Sequence, residues 1–268
     1  RVWQYHFGRG IVRSPNNFGQ LGDPPTHPLL LDWLAQRFIE NGWRLKPLHK
    51  LILMSNTYRM SSQGNEKALT QDPANNLFWR FDLRRLSAEE IRDSIHLVTG
   101  VFNPKMYGPS MYPTISKEVL AGQSRPGAGW GNSSPEEQAR RSIYIHVKRS
   151  LLTPILEDFD VADTDNSCPV RFSTTQPTQA LGLLNGDFAN AQAQVFADRL
   201  KKEAGDNPTD QIALAIRLTT CRKATREDIE RGQVLMKKLE DKHGLNKNDA
   251  LKYYCLLALN TNEFFYLD

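Results

Sequence analysis

A helical pattern runs through Thr225-Arg226-Glu227-Asp228-Ile229-Glu230-Arg231-Gly232-Gln233-Val234-Leu235-Met236-Lys237-Lys238-Leu239, and it sets the fold class of the chain. The first four residues supply a helix cap, since threonine is a favourable N-cap and an acidic residue follows three positions later. Apolar residues then recur on one face at helical spacing. That face comprises Ile229, Gly232, Leu235, Met236 and Leu239. The stretch therefore predicts an amphipathic helix that packs through this face.

The same kind of pattern continues on both sides of this helix. Asn207-Pro208-Thr209-Asp210 supplies a cap and a proline at the first helical position. Cys255 lies on an apolar helical face with Leu251 and Tyr254, and we expect it to be a core thiol. Residues 176–268 are therefore predicted to form a helical bundle.

Three further helices are predicted nearer the N-terminus. Thr26 is expected to cap a helix that ends near Asn41-Gly42, and Pro47 is expected to open a shorter one. Ser87-x-x-Glu90 is a capping box for a helix that runs to Gly100. The first of these helices carries one stripe of Leu30, Leu34 and Phe38 and a neighbouring stripe of Leu31 and Ala35.

The middle of the chain predicts little regular structure. Residues 101–140 contain too many glycines and prolines for long elements, so we expect a long irregular insertion. Ser142–Arg149 has strand composition, and Trp79–Leu83 is its suggested antiparallel partner. The predicted fold class is mainly α, with a small antiparallel β-ribbon and the Gly/Pro-rich insertion. We expect one domain over residues 1–268, made of an arginine-rich part (1–175) and the bundle (176–268).

Composition excludes several classes of protein. There is no apolar run long enough to span a membrane and no secretory signal pattern in this chain. The chain opens without methionine inside what reads as a helix, so we expect it to be part of a longer multidomain protein. No C-x-x-C-H motif is present, so no covalent haem is expected here. The basic residues are scattered, and no nucleic-acid recognition module is visible.

Charge is distributed unevenly along the chain. Residues 1–171 contain 15 Arg and 6 Lys against 17 acidic residues, whereas residues 172–268 are neutral overall. Arginine favours planar, bidentate contacts with carboxylates, phosphates and carbonyls. Internal ion pairing is the main interpretation, and an anion-binding surface is the alternative. The binding candidates are Arg9, Arg13, Arg59, Arg84, Arg85, Arg149, Asp160, Asp163 and Trp130.

Acid–base chemistry is conceivable around the opening loop. His6, Asp23 and His27 lie in the first 27 residues, and Arg171 is the arginine that could join them in a pocket. These four residues are the catalytic candidates. The competing interpretation is a structural network in which the same groups cap helices and bond loop carbonyls.

The acidic run Glu157, Asp158, Asp160, Asp163 and Asp165 offers a further hypothesis. Asp163-x-Asp165-x-Ser167 begins like a calcium loop, but Cys168 and Thr174 stand where such a loop needs glycine and glutamate. No metal site is therefore predicted, with Asp163 and Asp165 as weak candidates. We expect the run to pair with surplus arginines instead. These are Arg84, Arg85, Arg92, Arg140, Arg141 and Arg149.

Several motifs together carry a family resemblance that runs essentially end to end. They include Arg1–Val12, Pro24–Leu34, Leu48–Ile52, Arg84–Glu89, Arg141–Tyr144, Cys168–Arg171 and Asn260–Phe264. With these segments the chain resembles the planctomycete cytochrome-associated C-terminal domain of unknown function. The resemblance implies an exported protein, periplasmic or extracellular, in which this domain follows cytochrome c-like and other uncharacterised domains. It implies haem c only on an upstream domain and no cofactor in this chain.

Two functions are compatible with these observations. The first is a non-catalytic binding or scaffolding module whose partners are the upstream domains of the same polypeptide or an extracellular polysaccharide. For a polysaccharide, Trp130, Tyr107 and Tyr112 would be the stacking platform. The second is a hydrolase or redox-associated enzyme domain with a His/Asp/Arg pocket.

Overall fold

The computed structural model describes residues 1–268, and it is mainly helical with one two-stranded antiparallel sheet, which confirms the predicted fold class. The chain groups into two compact units. The first unit comprises residues 1–85 with 266–268, and the second comprises residues 86–265. The expectation of one domain over the whole chain stays a prediction.

The first unit is small and its core is aromatic. Phe7, Ile52, Phe78 and Phe81 are buried together, and neighbouring side chains such as Tyr58 pack on them. The elements of this unit are α1 (Val2–Phe7), α2 (Pro28–Glu40), α3 (Leu45–Leu53), α4 (Glu66–Gln71), β1 (Arg84–Arg85) and β2 (Tyr266–Leu267). Helices α1 and α3 and the 72–82 loop build this core, and α2 contributes no buried residue to it.

The start of α2 differs from the prediction. Its N-cap residue is His27, and no side chain caps the helix. Thr26 is used elsewhere, because its backbone N–H and its hydroxyl both donate to the Ile11 carbonyl. Pro28 supplies the first turn by its fixed backbone angle. Helix α3 likewise begins at Leu45, ahead of the predicted Pro47.

The second unit is a helical assembly arranged around one long helix, α10 (Asp187–Ala204). Its elements are α5 (Ala88–Thr99), α6 (Lys117–Ala121), α7 (Pro135–Gln138), the 3₁₀ turn Ser142–Tyr144, α8 (Pro154–Asp158), α9 (Pro177–Asn185), α10 (Asp187–Ala204), α11 (Pro208–Thr220), α12 (Arg226–His243), α13 (Lys247–Ala258) and α14 (Asn262–Phe265). Helix α10 packs against α5, α9, α11 and α13. Ala193, Phe196 and Leu200 on α10 are completely buried, so this helix carries the core of the unit.

The helix caps that the sequence predicts for this unit are confirmed. Ser87 and Thr225 form the predicted capping boxes, and Asn207 caps α11. Cys255 is fully buried as expected, and burial raises the pKa of its thiol. Not one helix of the chain combines the length and the apolar character needed to cross a membrane.

The predicted ribbon is present, but in a different place. β1 pairs antiparallel with β2, with Arg84 opposite Leu267. The predicted strand Ser142–Arg149 is wrong, since it starts with a 3₁₀ turn and makes only isolated bridges. The physical reason is Asp93 of α5, whose carboxylate accepts both the N–H and the hydroxyl of Ser142 at 2.7 Å and holds the turn.

Candidate functional site

Arg9 and Arg13 of the opening loop are committed to the 72–82 loop. The Arg9 guanidinium donates to the carbonyls of Ala74 (2.6 Å) and Asn75, and it pairs with Asp82 at 2.9 Å. Arg13 donates to the Asn76 side chain. Burial lowers the pKa of Arg9. Both arginines therefore hold backbone and side chains of this unit together.

The three candidate catalytic residues of the opening segment have different partners. His6 Nε2 lies 2.9 Å from His49 Nδ1, and burial, with His49 and Arg84 nearby, lowers the pKa of His6. His27 Nδ1 lies 3.0 Å from the Thr26 hydroxyl, and its ring packs against a core phenylalanine. Asp23 is exposed. The structure does not gather these three side chains around a common hydrogen-bonded group.

The remaining arginine candidates are distributed over both units. In the second unit, Arg171 makes a two-oxygen contact with Glu89, at 2.9 and 2.6 Å, and the exposed Arg149 lies 3.4 Å from Asp165. In the first unit, Arg59 is exposed. Arg84 and Arg85 form strand β1. Arg171, the fourth catalytic candidate, is thus engaged by a carboxylate of its own unit.

The acidic run is used for local structure. Asp160 has a left-handed backbone (φ 60°), and its carboxylate accepts the N–H and the hydroxyl of Thr174 at 2.9 and 2.8 Å. Asp163 accepts the N–H of Asp165 and the Asn166 amide, and these bonds lower its pKa. No group of three or more His, Cys, Asp or Glu side chains is arranged to hold a metal ion. Asp163 and Asp165 therefore build a turn.

Replacing Asp160 by asparagine is expected to lower the free energy of unfolding by about 1–2 kcal/mol, because an amide keeps only one of the two acceptor oxygens that fix Thr174. Urea unfolding followed by circular dichroism measures this difference. Asp241→Asn, at an exposed position of α12, is the control and is expected to be neutral. Equal stability of the two variants would contradict this role of Asp160.

Trp130 belongs to an aromatic cluster inside the 101–140 segment. Its indole lies edge-on to Tyr112 and His146, and Nε1 donates to the Pro113 carbonyl at 3.0 Å. One face of Tyr112 packs on His146 (centroids 4.7 Å apart), and Gly131 lies so close to the ring that a Cβ there would sit 2.8 Å from it. Tyr112 is half-buried within this cluster, and the cluster orders the segment from within.

Two buried arginines, Arg92 and Arg140, are the polar centre of the second unit. Arg92 donates to the carbonyls of Gln138 and Arg140 and to the Ser142 hydroxyl. Arg140 is completely buried and donates to the carbonyls of Tyr107 and Pro109, with its guanidinium 4.1 Å above the Tyr144 ring. Arg140 also pairs with Glu137 at 3.0 Å. The predicted pairing of these two arginines with the acidic run is wrong, because backbone carbonyls, Ser142 and Glu137 accept from their guanidinium groups.

His96 lies one turn after Arg92 on α5 and was not singled out by the sequence. It is 4% exposed, its ring packs edge-on against Phe188, and neither ring nitrogen has a hydrogen-bond partner. Burial and the neighbouring Arg92 lower the pKa of His96 to about 3. The Gln192 side chain lies nearby and partly opposes this lowering of the pKa, but it does not form a hydrogen bond with either ring nitrogen. The imidazole is therefore neutral in the folded unit.

Helix α2 presents apolar side chains at the surface of the first unit. No residue of α2 is buried, although the helix is amphipathic. The row Leu31, Ala35 and Ile39 is exposed, with Leu31 38% and Ile39 53% accessible. Beyond the helix, Trp43 is 66% exposed and touches Phe38 edge-on. We define the α2 apolar surface as Leu31, Ala35, Phe38, Ile39 and Trp43.

The backbone at Trp43 supports a role for this surface. Trp43 has a left-handed conformation (φ 59°), which is unfavourable for a bulky side chain and which the turn between α2 and α3 imposes. Basic side chains follow directly, since Arg44, Lys46 and Lys50 are all exposed. An exposed tryptophan on a constrained turn beside exposed basic groups is typical of a protein-interaction surface.

Comparison with known proteins yields one family. The model of PSD1, described as a protein of unknown function (DUF1553), matches residues 1–236. No curated protein and no solved structure matches the chain.

Proposed function

The chain belongs to PSD1, a family of proteins of unknown function (DUF1553), and we propose that it is a non-catalytic binding or scaffolding module of an exported, cytochrome c-linked multidomain protein. The observation that carries the proposal is the α2 apolar surface. Four of its five residues lie on an amphipathic helix that has no buried residue, and Trp43 follows that helix. The exported location and the cytochrome c-like neighbours rest on the resemblance of the sequence motifs.

The arrangement of polar groups favours binding over catalysis. A hydrolase pocket would require His6, Asp23 and His27 to face one reacting group. These side chains instead meet His49, the solvent and Thr26, respectively. The three candidate catalytic residues of the first unit therefore do not share the single pocket that the enzyme alternative requires.

The proposed partner is another domain of the same polypeptide that presents an apolar patch with acidic side chains around it. The apolar patch would cover the row Leu31, Ala35 and Ile39 together with Trp43, and its acidic surroundings would complement Arg44 and Lys46. Interface hot spots are enriched in tryptophan and arginine, and charge complementarity sets the orientation of docking.

The double variant Ile39→Ser/Trp43→Ser is expected to weaken binding of this chain to the separately produced upstream domains at least tenfold, because it removes two exposed anchors of the surface. Isothermal titration calorimetry measures the affinity. Both side chains are largely exposed, so circular dichroism of the double variant should match that of the native chain.

The matched control is Val234→Ser on α12, where an apolar side chain is 51% exposed outside this surface. It is expected to bind like the native chain. Absence of binding by the native chain would refute the scaffolding role, and unchanged affinity of the double variant would refute the assignment of the surface.

A further inference from the structure

Two imidazoles meet in the first unit, His6 in the last turn of α1 and His49 in α3. Nε2 of His6 lies 2.9 Å from Nδ1 of His49, and the ring planes are inclined by 67°. In the hydrogen bond between these rings one imidazole donates and the other accepts, so neither nitrogen has a free lone pair. When the donor ring carries its proton on its other nitrogen, both facing nitrogens present lone pairs. We propose that this pair is a binding site for a divalent transition-metal ion, zinc above all.

The separation of the two nitrogens is close to what a bound ion requires. Zinc–nitrogen bonds are about 2.0–2.1 Å long, which at a tetrahedral angle puts two nitrogen ligands roughly 3.3 Å apart. The pair at 2.9 Å would have to open by about 0.4 Å, which small side-chain rotations supply. The ion would take the place of this hydrogen bond, and the donor ring would carry its proton on its other nitrogen.

The surroundings hold one ring in place and leave room for further ligands. Tyr58 contacts His6 edge-on at 5.6 Å and is itself packed against Phe7 and Phe81. Both histidines are partly exposed, so water can complete the coordination. The positive charge of Arg84 nearby opposes a cation. With two protein ligands and this charge, the site would bind an exchangeable ion rather than a permanent structural one.

The donor set selects the class of metal. Imidazole nitrogen suits zinc, copper and nickel, whereas calcium and magnesium take oxygen ligands. No third His, Cys, Asp or Glu forms a metal-binding group with the pair. The acidic run considered from the sequence offers oxygen ligands, whereas this histidine pair offers nitrogen ligands.

Thermal unfolding of the full chain with and without zinc chloride tests the site. Cys168 and Cys221 are exposed, and their thiolates also bind zinc. Every protein compared in this experiment, including the reference, therefore carries the substitutions Cys168→Ser and Cys221→Ser. Zinc is expected to raise the melting temperature in a concentration-dependent manner, since an ion that binds only the folded state stabilises it. EDTA should reverse the rise.

Two substitutions and one control separate this site from general zinc binding. His6→Asn and His49→Gln should each abolish the zinc-dependent rise, whereas His243→Gln, at an exposed histidine of α12, should retain it. Zinc titration calorimetry at 25 °C repeats the comparison without unfolding, in case a variant is destabilised. The proposal is overturned if zinc leaves the melting temperature unchanged, or if either histidine variant binds zinc like the control.

Discussion

Replacing Arg92 by methionine is expected to lower the free energy of unfolding by about 3–5 kcal/mol, the usual cost of removing one partner from a buried polar network. Arg92 is 2% exposed, and its guanidinium donates to the carbonyls of Gln138 and Arg140 and to the Ser142 hydroxyl. Methionine fills a similar volume but donates nothing. The acceptors would remain buried without their donors, and each such group costs about 1–3 kcal/mol.

Chemical unfolding at neutral pH, followed by circular dichroism, measures this loss. The matched control is Arg226→Met on α12, where the side chain is 93% exposed and pairs with Glu230. That variant is expected to change stability by less than about 0.5 kcal/mol, because exposed ion pairs contribute little. If both variants unfolded at the same denaturant concentration, the carbonyl network around Arg92 would not be a stabilising centre.

Acidification is expected to destabilise the second unit through His96. The pKa of His96 is about 3 in the folded state and about 6.5 in an unfolded chain, so the unfolded chain takes up the proton first as the pH falls. The contribution of neutral His96 to the free energy of unfolding is fully present above about pH 6.5 and is lost progressively toward pH 3. Between pH 7 and pH 4 the loss is about 3 kcal/mol for this single group.

The variant His96→Leu isolates this effect from the carboxylates that titrate in the same range. Leucine cannot be protonated, and the imidazole it replaces has no hydrogen-bond partner to lose. The variant should therefore unfold like the native chain at pH 7 and be the more stable of the two at pH 4. Denaturant unfolding at pH 7, 6, 5 and 4 provides the comparison, and parallel pH profiles would exclude His96 as the cause.

Elements governed by local chemistry could be predicted from the sequence. The capping boxes at Ser87 and Thr225 and the cap at Asn207 depend only on residues within one turn, and the structure has all three. The segment 142–149 failed because Asp93, some fifty residues earlier, fixes Ser142. Alternating β-rich composition could not compete with that bond.

The chemistry of the site was less accessible from sequence. The arginines were expected to form internal ion pairs, but the partners of Arg92 and Arg140 are largely backbone carbonyls, which no residue pattern reveals. The pairing of His6 with His49 spans 43 positions. The stripe Leu31 and Ala35 was visible as apolar, but only the fold shows that the stripe is exposed.

The ribbon of β1 and β2 has a consequence for how the protein is made. β2 is synthesised only after all of residues 86–265, which form the second unit. During translation the aromatic core of the first unit has its whole sequence before residue 86 is added. The ribbon is therefore the last contact of this unit that can form, and it closes only when the chain is almost complete.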